Sequence, residues 1–453
     1  MTAKLTPVNP NTGRPTEPLE CTPVERIPEM VSRARKAQPE WAATPFRDRA
    51  ELVRKAGADI LRRAAEIADL VHIDMGKLPR HARQEVDFFA QGIERQISNM
   101  EQALKPDELP FENGVTRVHH VPLGVAAVIT PWNFPAGMPL SLAVPALLAG
   151  NTVVAKPSEY STRSGLAVLE ALRRQVPQNV LQTVVGADEQ GKTLVDSEVD
   201  LIGFIGSREV GKQILARASR RATRVILEMG GKCAMVVARD ADLKKAAKFA
   251  ARGAFRNTGQ VCCAVERIYV DRAVEADFVK ALRDAARDAV VGQDNGTEMC
   301  MGPFCNENQL KHVDRLVKDA VSKGATLVQG GRRLERPGFW FEPTILSGLR
   351  GDMAVMQEET FGPVAAVHPV ESVDEGIRLA NATRYGLTGT LWMGDAAKAR
   401  EKALQLEAGC VGVNRSFGGH PDTPWAGAKE SGFGYTGGVS GARQFLQPRS
   451  VTV

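Results

Sequence analysis

Long apolar runs are what this 453-residue chain most plainly lacks. The longest, such as Pro139 to Ala149, fall well short of the roughly 20 residues a bilayer-spanning helix needs, so no membrane span is expected. Met1–Pro10 carries no apolar core of a secretory leader. An excess of one charge is missing too: 58 basic residues meet 53 acidic ones, for a net charge of +5. The basic residues are scattered, and pairs such as Arg220-Arg221 and Lys244-Lys245 read as solvated helix faces. With no basic stripe interleaved with aromatics, nucleic-acid binding is not expected. Cysteines number seven, odd and unframed, which suits reduced thiols in the cytoplasm better than a disulfide scaffold. Cys300 and Cys305 lack a second pair to complete a zinc site, so no metal is expected.

What is present is ordinary for a globular protein, with 43% hydrophobic and 25% charged residues. The length predicts two or three domains. Residues 23–104 read as helical, with Leu52, Ala56, Ile60, Leu61 and Ala64 at helical spacing. From Val125 the pattern changes to short apolar runs alternating with helical segments. The runs are 125–129, 152–155, 181–185, 201–205 and 225–227; helices fit at 138–148, 164–174, 192–196 and 209–220. That alternation predicts a doubly wound, parallel α/β sheet. A second series follows, with strands at 235–238 and 267–270 and helices at 243–255 and from Val274, read as a second α/β domain.

Two pattern matches invite other functions. Gly186-Ala-Asp-Glu-Gln-Gly191-Lys192-Thr193 fits the phosphate loop of a nucleotide hydrolase. Asp188 and Glu189 would place carboxylates against polyphosphate, however, and no downstream strand ends in an aspartate suited to magnesium. A plain strand-to-helix turn explains the segment. Gly432-Phe-Gly434-Tyr-Thr-Gly437 matches GxGxxG, but it follows Lys429-Glu430-Ser431 rather than a buried strand, so it is not taken as a cofactor loop.

Four residues carry more chemistry. Cys262 lies in the polar turn Asn257-Thr-Gly-Gln-Val-Cys262-Cys263, just after the helix ending at Phe255. Glu228 ends the strand 225–227 and precedes Met229-Gly230-Gly231, where α/β sites gather. Asn133 sits in Pro131-Trp132-Asn133-Phe134-Pro135 just past a strand, and Lys156 closes the strand 152–155 before Pro157-Ser158-Glu159. Singly, each has a plain alternative: a small buried hydrophobe, a helix cap or ion pair, a turn residue.

Together they resemble the aldehyde dehydrogenase superfamily over nearly the whole length. The carrying segments are Asn9-Pro-Asn-Thr-Gly13, Pro131-Trp-Asn-Phe-Pro135, Lys156-Pro-Ser-Glu159, Phe204-Ile-Gly-Ser207 with Gly211, Leu227-Glu-Met-Gly-Gly231, Gly259-Gln-Val-Cys262 and Glu358-Glu-Thr-Phe-Gly-Pro363. Glu228 and Cys262 stand 34 positions apart, as the family spaces them. The resemblance implies a Rossmann-like NAD(P)-binding domain (1–103 and 123–229), a catalytic domain (230–428) and a small β bridging element (104–122 and 429–453). It implies a homodimer or homotetramer, because the hairpin around Gly114 and the tail Val451-Thr-Val453 expose strand edges.

By that resemblance Cys262 is the nucleophile, Asn133 an oxyanion donor and Glu228 the general base that hydrolyses the thioester. The CoA-acylating branch of the superfamily generally lacks a glutamate at the position of Glu228, so an acid product is expected. Thr130, Pro131, Trp132, Lys156, Ser158, Glu159, Gly206, Ser207, Gly230, Glu359 and Phe361 resemble the cofactor contacts. The Glu159 carboxylate would hydrogen-bond a ribose 2′-hydroxyl and repel a 2′-phosphate, which favours NAD while NADP stays open. Cys263 beside Cys262 invites a vicinal disulfide or a plain packing role.

The substrate signal is thinner. Phe134 and Arg256 resemble tunnel residues, and Arg256 resembles the arginine with which succinate-semialdehyde dehydrogenases grip a carboxylate. Their second arginine is absent here, where the chain reads Met138-Pro-Leu-Ser141. Arg415 and His420, in the late loop 414–421, either supply the missing charge or are solvated loop residues. Thr423-Pro-Trp425-Ala-Gly427 departs from the usual Pro-Phe-Gly-Gly. A short anionic aldehyde is expected, with a broad-specificity aliphatic or aromatic enzyme as the alternative.

Overall fold

The computed structural model describes residues 3–453. Residues 26–103 form five consecutive helices, Arg26–Ala43, Phe46–Arg62, Ala64–Met75, Pro79–Gln91 and Ile93–Ala103. They pack against a six-stranded sheet. Its order is Gly432–Phe433, Arg224–Glu228, Leu201–Ile205, Val125–Ile129, Thr152–Lys156, Leu181–Thr183, parallel except for the first strand. Ala126 and Val128 face the core under the helices Phe46–Ala103, while Val125 and Ala127 face the core that holds Ile27, Val31 and Ala34. Burial on both faces is why these strands read as unbroken apolar runs.

A second sheet has seven strands in the order Thr326–Gln329, Thr344–Ser347, Val364–Val370, Arg267–Asp271, Ala234–Val237, Thr388–Trp392, Cys410–Val413. Only the pairing of the first two is antiparallel. Its alternate side chains again feed two cores, Val236 and Tyr269 on one side, Met235, Val237, Ile268 and Val270 on the other. A third, antiparallel sheet joins Leu446–Thr452, Gly114–Pro122 and Asp107–Phe111.

The phosphate-loop pattern dissolves at this level. The helix Asp188–Asp196 starts before Gly191, so Lys192 lies inside it and pairs with Asp188 on the exposed surface, 2.5 Å away. A lysine turned into its own helix cannot reach a phosphate held at the helix start. Gly432–Gly437 forms two short strands, not a strand-to-helix cofactor turn. All seven cysteines are free thiols. No helix among the described residues is long and apolar enough to cross a membrane, and those residues hold no cluster of metal-ligand type.

Candidate active site

The two large sheets point their strand ends at one cavity of about 1190 Å³. Strand ends gather sites because the chain turns there, free of ladder hydrogen bonds. From the first sheet come Pro131–Phe134 after Val125–Ile129, Gly206 and Ser207 after Leu201–Ile205, and Glu228 at the end of Arg224–Glu228 with Gly230 beyond it. From the loops around the second sheet come Arg256, Cys262, Glu359 and Phe361.

The cysteine loop is held in an unusual shape. Asn257, Thr258 and Gly259 take φ of 54°, 60° and 68°, three left-handed residues in a row. Non-glycine residues there cost on the order of 1 kcal/mol or more each, so side-chain bonds must fix them. Thr258 Oγ1 donates to Gly302 O at 2.9 Å, Cys305 N donates to Gln260 Oε1 at 2.9 Å, and Asn257 Nδ2 donates to Asn133 O at 3.3 Å. At Gly259 a Cβ would run into the Gly362 carbonyl oxygen, so only glycine fits. Asn133 closes the circle, its Nδ2 donating to Gln260 O at 3.1 Å from a buried position. One amide hydrogen is thereby used, and the other is free for a ligand.

Cys262 and Glu228 are each half-buried and line the cavity. A hydrogen bond with the Cys263 thiol, burial and the adjacent Glu228 carboxylate together push the Cys262 thiol well above its ordinary range. Burial likewise raises Glu228, opposed by hydrogen bonding from Cys262 and from the Trp425 side chain. Its Oε1 is buried without a hydrogen-bond partner. A thiol beside a proton acceptor, with an amide donor on the same wall, is the arrangement nucleophilic attack on a carbonyl requires.

The profile of the aldehyde dehydrogenase family matches residues 2–451. The chain belongs to the aldehyde dehydrogenase family. It is 34% identical over 446 residues to the NADP(+) succinate-semialdehyde dehydrogenase of Deinococcus radiodurans, covering 98% of this chain and 94% of that one. Lactaldehyde dehydrogenase from Escherichia coli superposes with a TM-score of 0.95 at 32% identity, over 100% of this chain and 96% of that one. An NADP-dependent enzyme of Escherichia coli gives 0.95 at 31% identity, over 100% and 95%. This aldehyde dehydrogenase is therefore an oxidoreductase that acts on aldehydes with NAD(P), built on its family's fold.

The residues fit such a cofactor. Gly206 and Ser207 face the cavity at the start of the helix Arg208–Ala218, whose first backbone N–H groups suit a pyrophosphate; Ser207 Oγ accepts from Val210 N at 3.3 Å. Lys156 is buried with its ammonium 3.7 Å from Glu159, and burial lowers its pKa. Glu359 accepts from Gly231 N at 3.0 Å beside Gly230, which has φ +72° and where a Cβ would strike the Glu359 carboxylate. Burial holds Glu359 up at about 8. Phe361, at φ 48°, sets its ring edge-on to Trp132 with centroids 5.4 Å apart.

Some expected residues stand off the cavity wall. Thr130, Lys156, Ser158 and Glu159 lie at neighbouring strand ends, outside the lining residues. Ser158 is buried and shapes the local turn, its hydroxyl accepting from Tyr160 N at 3.3 Å. Arg415 and His420 do not line the cavity either, although Ser416, Phe417 and Gly418 of their loop do. Arg415 leans on the Gly418 carbonyl at 3.5 Å and His420 on Asp422 at 3.5 Å. Arg256, by contrast, is exposed on the wall and joins no ion pair among the described residues, whereas its neighbour Arg252 is paired with Glu298.

Sequence reasoning missed the buried pair Lys77–Glu85. Lys77 Nζ sits 3.7 Å over the Phe134 ring, and Glu85 Oε1 accepts from Ala136 N and Gly137 N at 2.9 and 3.1 Å. The pair pins the loop that carries Asn133. No local signal links residue 77 to residue 134.

Proposed function

We propose that this enzyme oxidises a short aldehyde bearing an anionic group to the carboxylic acid, with Cys262 as nucleophile, Glu228 as base and Asn133 as oxyanion donor. The observation that carries the reading is the convergence of those three side chains on one cavity whose wall also presents the unpaired guanidinium of Arg256. The name of the succinate-semialdehyde relative supports the anionic group, and that of the lactaldehyde relative supports a short aldehyde.

Cys262 reacts as its thiolate, its proton leaving to solvent through the cavity. The thiolate attacks the aldehyde carbon, and the charge that develops on oxygen meets the Asn133 amide; a preorganised donor of this kind is worth roughly 3–4 kcal/mol. NAD(P), when bound, accepts the hydride. Glu228 then takes a proton from the water that hydrolyses the Cys262 thioester. Phe134, packed on Lys77, forms the apolar wall beside the reacting carbon. Arg256 holds the distal anion.

For the cofactor we favour NAD, because Glu159 would repel a 2′-phosphate. Its partial neutralisation by Lys156 and the NADP-named relatives keep NADP within reach. Replacing Glu159 with Ser raises kcat/KM with NADP relative to NAD on this reading. The exposed strand edge of Leu446–Thr452, with Val451 and Val453 uncovered, supports assembly as a dimer or a dimer of dimers. The free thiols suit a reducing, cytoplasmic setting. We also keep the three-part division 1–103 with 123–229, 230–428, and 104–122 with 429–453.

The test is NADH or NADPH formation from neutral and acidic aldehydes, with and without CoA. Turnover without CoA that disappears in Cys262→Ala supports the reading. Activity only with CoA would remove Glu228 from its role.

A further inference from the structure

A buried ammonium stands in the cavity wall, and no step of the reaction above uses it. Lys77 and its partner Glu85 both line the cavity, yet each is only 5% exposed. Taking two charges out of water is costly, and a pair of apolar side chains of similar size would often serve stability as well.

The pair stands between the two loops that must meet at the reacting carbonyl. On one side, Lys77 Nζ lies 3.7 Å over the ring of Phe134, the neighbour of Asn133. Glu85 Oε1 accepts Ala136 N and Gly137 N at 2.9 and 3.1 Å, so the carboxylate caps the helix Gly137–Leu148 just beyond. On the other side, the backbone of Gly76, with φ +86°, abuts the segment 302–303. A Cβ on Gly76 would strike Pro303, and one on Gly302 would strike the Gly76 carbonyl oxygen.

That segment holds the cysteine loop. Gly302 O accepts Thr258 Oγ1 at 2.9 Å, and Pro303 O accepts Gln260 Nε2 at 3.4 Å. Gln260 O in turn accepts Asn133 Nδ2 at 3.1 Å. The contacts close a circuit from Gly76-Lys77 through Gly302-Pro303, Gln260 and Asn133-Phe134 back to Lys77. The Lys77 backbone is itself fixed, its carbonyl oxygen accepting from His72 Nδ1 at 2.6 Å.

We propose that Lys77 and Glu85 are positioning residues for the oxyanion donor: the pair sets the Asn133 amide in register with the cysteine loop, which hangs from the other sheet. This rests on Asn133 being that donor. Neither residue touches a reacting atom; both act through the loop 133–137.

The experiment removes both charges together. Lys77→Met with Glu85→Gln strands no buried charge, and the new amide oxygen can still accept Ala136 N and Gly137 N. Glu85→Gln alone carries the same test should the paired variant be unstable. Each is combined with Asn133→Ala to complete a double-mutant cycle. The paired variant is expected to lose about tenfold in kcat/KM, for neutral and acidic aldehydes alike, out of the roughly 100- to 1000-fold that an oxyanion donor supplies. In the Asn133→Ala background the same replacements are expected to cost nothing further. Labelling of Cys262 by iodoacetamide, which needs no turnover, is expected to keep its wild-type rate.

An unchanged kcat/KM overturns the proposal, as does an equal fall in the Asn133→Ala background. An altered labelling rate would place the effect on the thiol instead. A loss confined to acidic aldehydes would make Lys77 a substrate contact and overturn the positioning role. An Asn133→Ala enzyme as active as wild type sinks the reading of Asn133 on which this rests, whereas a slow one with an additive cycle sinks only the role of Lys77 and Glu85.

Discussion

Lys232 and Glu266 form an ion pair of 2.7 Å with both side chains sealed from solvent, and the same carboxylate accepts the backbone N–H groups of Thr360 and Phe361 at 2.8 and 2.7 Å. Glu266 therefore anchors the loop of Glu359 and Phe361 to the start of the strand Arg267–Asp271. Replacing Glu266 with Ala strands a buried ammonium and two N–H groups, a loss of roughly 3–5 kcal/mol. A large fall in Tm is expected by calorimetry, and an unchanged Tm contradicts this account.

The free enzyme should react slowly with thiol reagents at neutral pH, because the Cys262 thiol sits well above its ordinary range. Part of that rise is the charge of Glu228, so Glu228→Gln lowers the thiol pKa and speeds alkylation by iodoacetamide at fixed pH. The rate of Cys262 labelling, read by mass spectrometry, checks the sign; slower labelling in the variant would reverse the assignment.

Glu359 titrates near 8 when folded against an ordinary 4.5. Its protonated form is the one that folding favours, so its contribution to stability is whole below 4.5 and is lost as pH rises toward 8. Glu359→Gln removes that loss. Unfolding midpoints measured across the window should show the wild type declining more steeply than the variant, and parallel curves would refute it. Cofactor affinity runs the other way, strengthening with pH as the carboxylate becomes able to accept ribose hydroxyls.

Arg256→Leu should raise KM for an acidic aldehyde roughly 10- to 100-fold, the worth of a charge-assisted hydrogen bond, and leave neutral aldehydes nearly untouched. Equal effects on both classes would make Arg256 a structural residue and favour the broad-specificity alternative.

The alternating strands and helices from Val125 onward were legible because both faces of each parallel strand are buried, giving unbroken apolar runs with turns between them. That Cys262, Glu228 and Asn133 meet at one cavity was legible through short motifs that resemble the family's. What escaped was everything assembled across distance. Lys77 touches Phe134 over 57 positions of chain, and Glu266 reaches Thr360 over 94. The resemblance offers Arg415 and His420 as tunnel-mouth cations or as solvated loop residues, and it is Ser416, Phe417 and Gly418 of their loop that line the cavity. The phosphate-loop lysine failed for a local reason, the early start of its helix at Asp188.

The strand that bears Glu228 has Leu201–Ile205 on one side and, on the other, only Gly432–Phe433. That strand is therefore one short neighbour away from being a sheet edge. Displacing Gly432–Phe433 would also withdraw the Ser431 carbonyl that receives the Met229 N–H at 2.8 Å, and would leave an open ladder on which another extended chain could pair.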